Sequence, residues 1–180
     1  ISDALPVVPL RDASVDHVYS EGVLHHVSHP EAVLKEIYRV LKPGARGYVM
    51  VYNRDSVFYH LYVAYVRRLV QNIFPGAGIE EVFRGSTDGL ECPISRCYGP
   101  AEFVALARGA GFSCEFLGGY FSRFELTCLD SHLSAALADK RLEEEHKTFL
   151  RGLARGTLDQ PCHQGKLAGL GGVYRVAKPA

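Results

Sequence analysis

The stretch Glu21–Pro30, EGVLHHVSHP, gathers three of the chain's eight histidines. Imidazole ordinarily titrates near pH 6.5, so His26, or its neighbour His25, is suited to take a proton from a hydroxyl or an amine. Adjacent side chains diverge, so if one ring faces a crevice the other points elsewhere. Metal binding is the weaker reading. His25, His26 and His29 stand one and three apart, which does not bring three imidazoles to one face of a helix, and no neighbouring Asp or Cys completes a set. Cys92 and Cys97 have four residues between them and Cys162 precedes His163, but no second compact pair makes a zinc pattern. The expectation is a proton acceptor and no metal.

These side chains need elements to hold them. Asp16–Tyr19 reads as a strand. Ser28-His29-Pro30-Glu31 fits a capping box with proline in the first turn, so His29 belongs to a helix start. Val33, Leu34, Ile37, Val40 and Leu41 then follow at helical spacing until Lys42-Pro43-Gly44 stops the helix, with Lys42 favouring the negative end of its dipole. Gly47–Tyr52 is apolar enough for a strand covered on both faces. Strand, helix and strand in so short a span make a βαβ unit with parallel strands, hence an open α/β sheet. Tyr52 and Asn53 sit at its carboxyl end, where Asn53 either holds substrate or caps a turn.

Farther on, Ser56–Phe74 reads as a long helix whose stripe Phe58, Tyr59, Tyr62, Tyr65 and Val66 is core, with a hint of an apolar or aromatic substrate nearby. Phe74–Pro93, punctuated by Gly and Pro, reads as a loop or lid. Pro100–Ala110 is a helix. A strand spans Cys114–Leu117 with a possible continuation to Glu125, a charged helix with a solvated face covers Ser131–Leu153, and a final strand covers 172–178.

Composition narrows the partners. Lys plus Arg equals Asp plus Glu at 20 each, and no basic stripe is interleaved with aromatics, which disfavours nucleic acid and anionic membranes. The most apolar candidate span, Val57–Phe74, is broken by His60, Arg67, Arg68, Gln71 and Asn72, so no membrane span is expected. Five cysteines, odd in number and irregularly spaced, argue for reduced thiols and a cytoplasmic location. The 180 residues suit a single domain. The chain opens on Ile1, and its one methionine, Met50, lies inside a strand, which suggests a chain cut from something longer.

Asp3-Ala4, Val8-Pro9-Leu10, Asp16-x-Val18, Val23-Leu24-His25-His26 and Arg39-Val40-Leu41-Lys42-Pro43-Gly44 together resemble the class I S-adenosylmethionine-dependent methyltransferases of the type 11 group. Tyr98–Phe112 resembles that family's helix before its sixth strand, and Gly171–Pro179 its seventh strand. The resemblance implies a three-layer, Rossmann-like α/β methyltransferase sheet, here N-terminally truncated to strands three or four to seven. It also implies substrate-side insertions at about 55–97 and 131–169. S-adenosylmethionine is the implied cofactor. Asp3 would accept from its adenine amino group, Ala4 would lie near the base, and Ser20, Glu21 and Gly22 would pass beneath the methionyl part and the sulfonium. His26 aligns with the family's recurrent histidine, and Tyr52 and Asn53 would face a small-molecule acceptor. The family's glycine-rich loop does not occur in these residues. The chain alone is therefore expected to be inactive and to hold the cofactor poorly, and the alternative reading is a non-catalytic scaffold or binding module.

Overall fold

The computed structural model describes residues 7–180; Asp3 and Ala4 lie outside them. Strand β1 (Val15–Glu21) pairs in parallel with β2 (Leu41–Asn53), because helix α1 (Pro30–Val40) carries the chain back between them. α1 turns Leu34, Ile37 and Val40 inward, the spacing read from the sequence. The ladder opens at one place: Leu41 pairs with Val15 and the next pair is Arg46 with His17, so Lys42–Ala45 bow outward, with Gly44 at φ +76°. Beyond the bow β1 and β2 approach so closely that a Cβ on Gly47 would lie 2.1 Å from Val18 Cγ1.

The main sheet runs β1-β2-β8-β4, where β4 is Ser113–Tyr120 and β8 is Gly171–Ala177, and the two-residue β3 (Cys97–Tyr98) extends β2's pairing at its carboxyl end. β8 is antiparallel to both neighbours. Helix α3 (Pro100–Gly109) packs with α1 on one face over Leu24, Leu34, Val49, Val51, Tyr174 and Val176. This is the α/β sheet expected. The expectation that β2 is covered on both faces fails: Val49 and Val51 are buried, whereas Tyr48 is 39% exposed and its neighbour Tyr19 67%. Both helices that pack on the strands do so from the other side.

The helix Phe58–Val70 is wound more widely than an α-helix, closing with Gln71 N–H on Val66 O. It is buried nearly all round because α2 (Ile79–Thr87), α4 (Arg123–Ala138) and α5 (Glu144–Arg151) surround it. Three expectations are corrected here. The lid over Phe74–Pro93 contains α2, whose Val82 and Phe83 are core; Gly85, taken as punctuation, is the helix position where the Phe74 ring would meet a Cβ at 2.6 Å. The strand does not continue to Glu125, since Ser122 and Glu125 form a reciprocal capping box that starts α4. The single charged helix is two, broken between Ala138 and Glu144, and α5 buries His146, Lys147, Phe149 and Leu150. A small antiparallel sheet of β5 (Ala154–Arg155), β6 (Pro161–His163) and β7 (Lys166–Leu167) follows.

The capping box expected at Ser28 does not form. Pro30 takes the first helical position, which makes His29 the cap, and no side chain bonds there. At the other end of α1, Lys42 turns outward to pair with Asp16, and Lys178, reaching back from beyond β8, donates to Tyr38 O and Leu41 O at 2.8 Å. Among the described residues no helix is long and apolar enough to cross a membrane.

Candidate functional site

Gly22, at φ +70°, turns the chain off the end of β1 into a single 3-10 turn, Leu24–His26. Leu24 is fully buried in the core and fixes that turn, so the two histidines after it separate. His25 is 1% exposed and stacks on the Tyr52 ring at 3.9 Å, and both its ring nitrogens lack hydrogen-bond partners. Burial, and then the neighbouring His26, push its pKa down to about 4, so it is neutral near pH 7.

His26 turns toward the rim. Its Nδ1 lies 2.8 Å from Ile94 O; a carbonyl only accepts, so Nδ1 carries the hydrogen. In the neutral ring the lone pair then sits on Nε2, which lies 3.6 Å from Asp88 Oδ1. Asp88, at the C-terminal cap of α2, accepts from Tyr52 Oη at 2.9 Å and Ser95 Oγ at 2.6 Å. Partial burial pushes its pKa up, but the hydroxyls of Ser95, Thr87 and Tyr52, together with His26, outweigh that and hold it below the usual carboxylate range. Burial and Asp88 raise Tyr52 in turn. The Cys92 thiol donates to the same Ile94 carbonyl at 3.2 Å and lies 3.7 Å from His26 Nδ1.

The structure thus brings His25, His26 and Tyr52 together. Ser20, Glu21 and Gly22 lie at the same end of the sheet, on the last turn of β1's path, and Glu21 accepts from Tyr19 Oη at 2.6 Å and from Tyr120 Oη at 3.5 Å. Asn53 is held by backbone partners. It is fully buried, its Nδ2 donates to Asp55 O and Gly169 O, and its Oδ1 accepts from Asp55 N, so the side chain caps the turn after β2. Asp88, Cys92 and Ser95 were missed. The Asp88-Gly89 pair marks a helix end, but its convergence on a histidine turn so far away in the chain leaves no local signal. Behind Ser95 lies a cavity of about 230 Å³ lined by Arg54, Tyr59, Glu80, Phe83 and Arg96 among others, of mixed charged and aromatic character.

Residues 1–49 match the family model described as a methyltransferase domain. No curated protein matches the chain. Among solved structures, the chain is similar to an S-adenosylmethionine-dependent methyltransferase, possible histamine N-methyltransferase, from Thermotoga maritima, with a TM-score of 0.52 and 20% identity over 95% of this chain and 59% of that one. It is also similar to an S-adenosylmethionine-dependent methyltransferase from Mesorhizobium loti, with a TM-score of 0.48 and 15% identity over 97% of this chain and 66% of that one. The chain therefore spans about three fifths of the Thermotoga protein's length. At these identities the likeness is one of fold: the chain has the Rossmann-like α/β fold of class I S-adenosylmethionine-dependent methyltransferases, and its first 49 residues match the model of a methyltransferase domain.

Proposed function

We propose that the chain is part of an S-adenosylmethionine-dependent methyltransferase acting on a small-molecule acceptor, apolar or aromatic in its body, in a reducing, cytoplasmic setting. His26 takes the acceptor's proton. The observation that carries this reading is the fixed tautomer of His26: Ile94 O holds Nδ1–H, which leaves Nε2 as a proton acceptor at the carboxyl end of the parallel strands, where ligands bind in open α/β sheets.

The rim suits the cofactor. Glu21 offers an exposed carboxylate to a cationic centre, and the space beside Gly22 is open, with no atom within 4 Å of an added Cβ. Ser20, Glu21 and Gly22 would lie along the cofactor's methionyl part, and Asp3 with Ala4, by resemblance, along its adenine. The cofactor supplies a methyl group already activated by a sulfonium leaving group. The chain's own contribution is then alignment, which can supply about 7–11 kcal/mol, and removal of a proton from a hydroxyl or amine nucleophile, which adds roughly 10²–10⁴-fold. As His26 Nε2 gains that proton, Asp88 faces the imidazolium, held in place by Tyr52 and Ser95.

The test is transfer of a labelled methyl group from S-adenosylmethionine to panels of phenols and amines by the protein that carries this chain. The expected result is labelled product, with His26→Gln slowing turnover roughly 10²–10⁴-fold at unchanged cofactor affinity. Turnover unaffected by that substitution removes His26 from the mechanism, and absence of cofactor binding would favour the scaffold reading.

A further inference from the structure

We propose that His26, Asp88 and Cys92 form a binding site for a thiophilic divalent cation of the zinc class. The three residues can each place a ligand atom within 4.8 Å of the other two. Among the described residues no other group of three histidine, cysteine or acidic side chains is brought together in this way.

The spacing between His26 and Asp88 matches shared coordination better than direct bonding, and Cys92 stands close by. His26 Nε2 and Asp88 Oδ1 stand 3.6 Å apart, too far for a hydrogen bond, and Cys92 Sγ and His26 Nδ1 stand 3.7 Å apart. Ligand atoms held about 2.0–2.3 Å from a tetrahedral ion lie roughly 3.3–3.8 Å from one another. The two spacings use different ring nitrogens. An ion seated by Nε2 keeps Nδ1–H on Ile94 O and draws Cys92 inward; the thiol proton leaves to solvent on binding, so the sulfur's bond to that carbonyl is lost in any case.

The surroundings have the form that metal ligands need. A ligating imidazole is usually oriented by its other N–H on a carbonyl, and a ligating carboxylate by hydrogen-bond donors. Here Ile94 O plays the first part and the Tyr52 and Ser95 hydroxyls the second. Cys92 is set by a tight turn, its N–H donating to Gly89 O, with Gly89 at φ +86°. Thiolate, imidazole and carboxylate together select zinc-class ions over magnesium or calcium. The His26 and Asp88 side chains remain 31% and 20% exposed, which leaves an open fourth position and a route for exchange. No local pattern marks the site, because Cys92 stands 66 residues from His26 along the chain.

An ion here takes the lone pair that the proposed methyl transfer assigns to the acceptor's proton, so occupancy and proton transfer exclude each other. That consequence rests on the methyl-transfer reading; the site itself does not, and it is tested without turnover. The chain is titrated with Co²⁺. The expected result is tetrahedral visible bands and a near-ultraviolet thiolate band saturating at one equivalent, reversed by Zn²⁺, with the thiolate band absent in Cys92→Ser and affinity lowered roughly 10–100-fold in Ser95→Ala. In the unaltered chain one equivalent of Zn²⁺ protects Cys92, but not Cys97 or Cys162, from alkylation mapped by mass spectrometry. A spectrum of hydrated cobalt alone, a thiolate band that survives Cys92→Ser, or Cys92 alkylated equally with and without zinc overturns the proposal.

Discussion

The Tyr52 hydroxyl donates to Asp88 Oδ1 over 2.9 Å while the same ring stacks on His25, so one side chain ties the end of β2 to both the histidine turn and the end of α2. Tyr52→Phe keeps the stack and deletes the bond. The expected cost is about 1–2 kcal/mol, near the lower end of the range for bonds to a charged acceptor because the site is partly open to water. Urea unfolding of Tyr52→Phe, Asp88→Asn and the double variant should give a coupling of about 0.5–2 kcal/mol; strictly additive losses would mean that the bond contributes nothing.

Acid should loosen the fold at two places, the histidine turn and the contact of His60 with His146 and Phe149 of α5. Burial lowers His25 to about 4 and His60 to about 3, so each takes a proton more readily unfolded, near 6.5, than folded. The unfolded chain then binds more protons below that value. The stability is present in full above about pH 6.5 and is lost as pH falls to 4 for His25 and on toward 3 for His60. For His25 the whole loss is roughly 3 kcal/mol. His25→Phe, which also removes two unpartnered ring nitrogens, should be near neutral at pH 7 and flatten the slope between pH 6.5 and 4. A slope identical to that of the unaltered chain would contradict the assignment.

Glycines at the close approaches are predicted to differ in tolerance. A Cβ on Gly169 would lie 2.0 Å from Tyr120 O, a backbone atom that cannot yield, whereas on Gly171 it meets the Tyr120 ring, which is 47% exposed and free to swing aside. Gly169→Ala should cost at least the upper end of the about 1–3 kcal/mol typical of overpacking, and Gly171→Ala the lower end. Thermal melts of the two variants side by side decide the order.

Glu125 carries more than its helix cap. Its buried carboxylate accepts from Ser122 N at 2.8 Å, Ser122 Oγ at 3.0 Å and, across the fold, Leu170 N at 2.9 Å just before β8. Glu125→Ala strands these donors, for an expected loss of about 2–4 kcal/mol, and Glu125→Gln, which keeps an acceptor oxygen, should lose less than half as much. Equal losses in a denaturant series would show that the charge, not the bonds, matters.

The βαβ unit, α3 and the last strand were legible because their apolar periodicity and their stops coincide with how they pack: Leu34 and Ile37 inward, Gly111 at φ +102° after α3. Two of the errors have a common cause in turn chemistry. Ser28 and Glu31 carried the letters of a capping box but stood out of register with Pro30, while Ser122 and Glu125, the box that forms, lay in a stretch read as strand. Of the site, His25, His26 and Tyr52 could be named because the chain keeps them near one sheet end. Their division into a buried neutral ring and a rim acceptor depends on Leu24 being pinned and on Ile94 arriving from a distant loop, which no local pattern records.

The place of β8 also bears on how the molecule is made. It is synthesised after every other strand described here, yet it lies between β2 and β4 and supplies the partner for both. Domains that fold progressively from the amino end as they emerge can close their sheets early. This one holds one edge of β2 and one of β4 unpaired until β8 has left the ribosome, and during that interval the nascent chain is most exposed to pairing with the wrong partner.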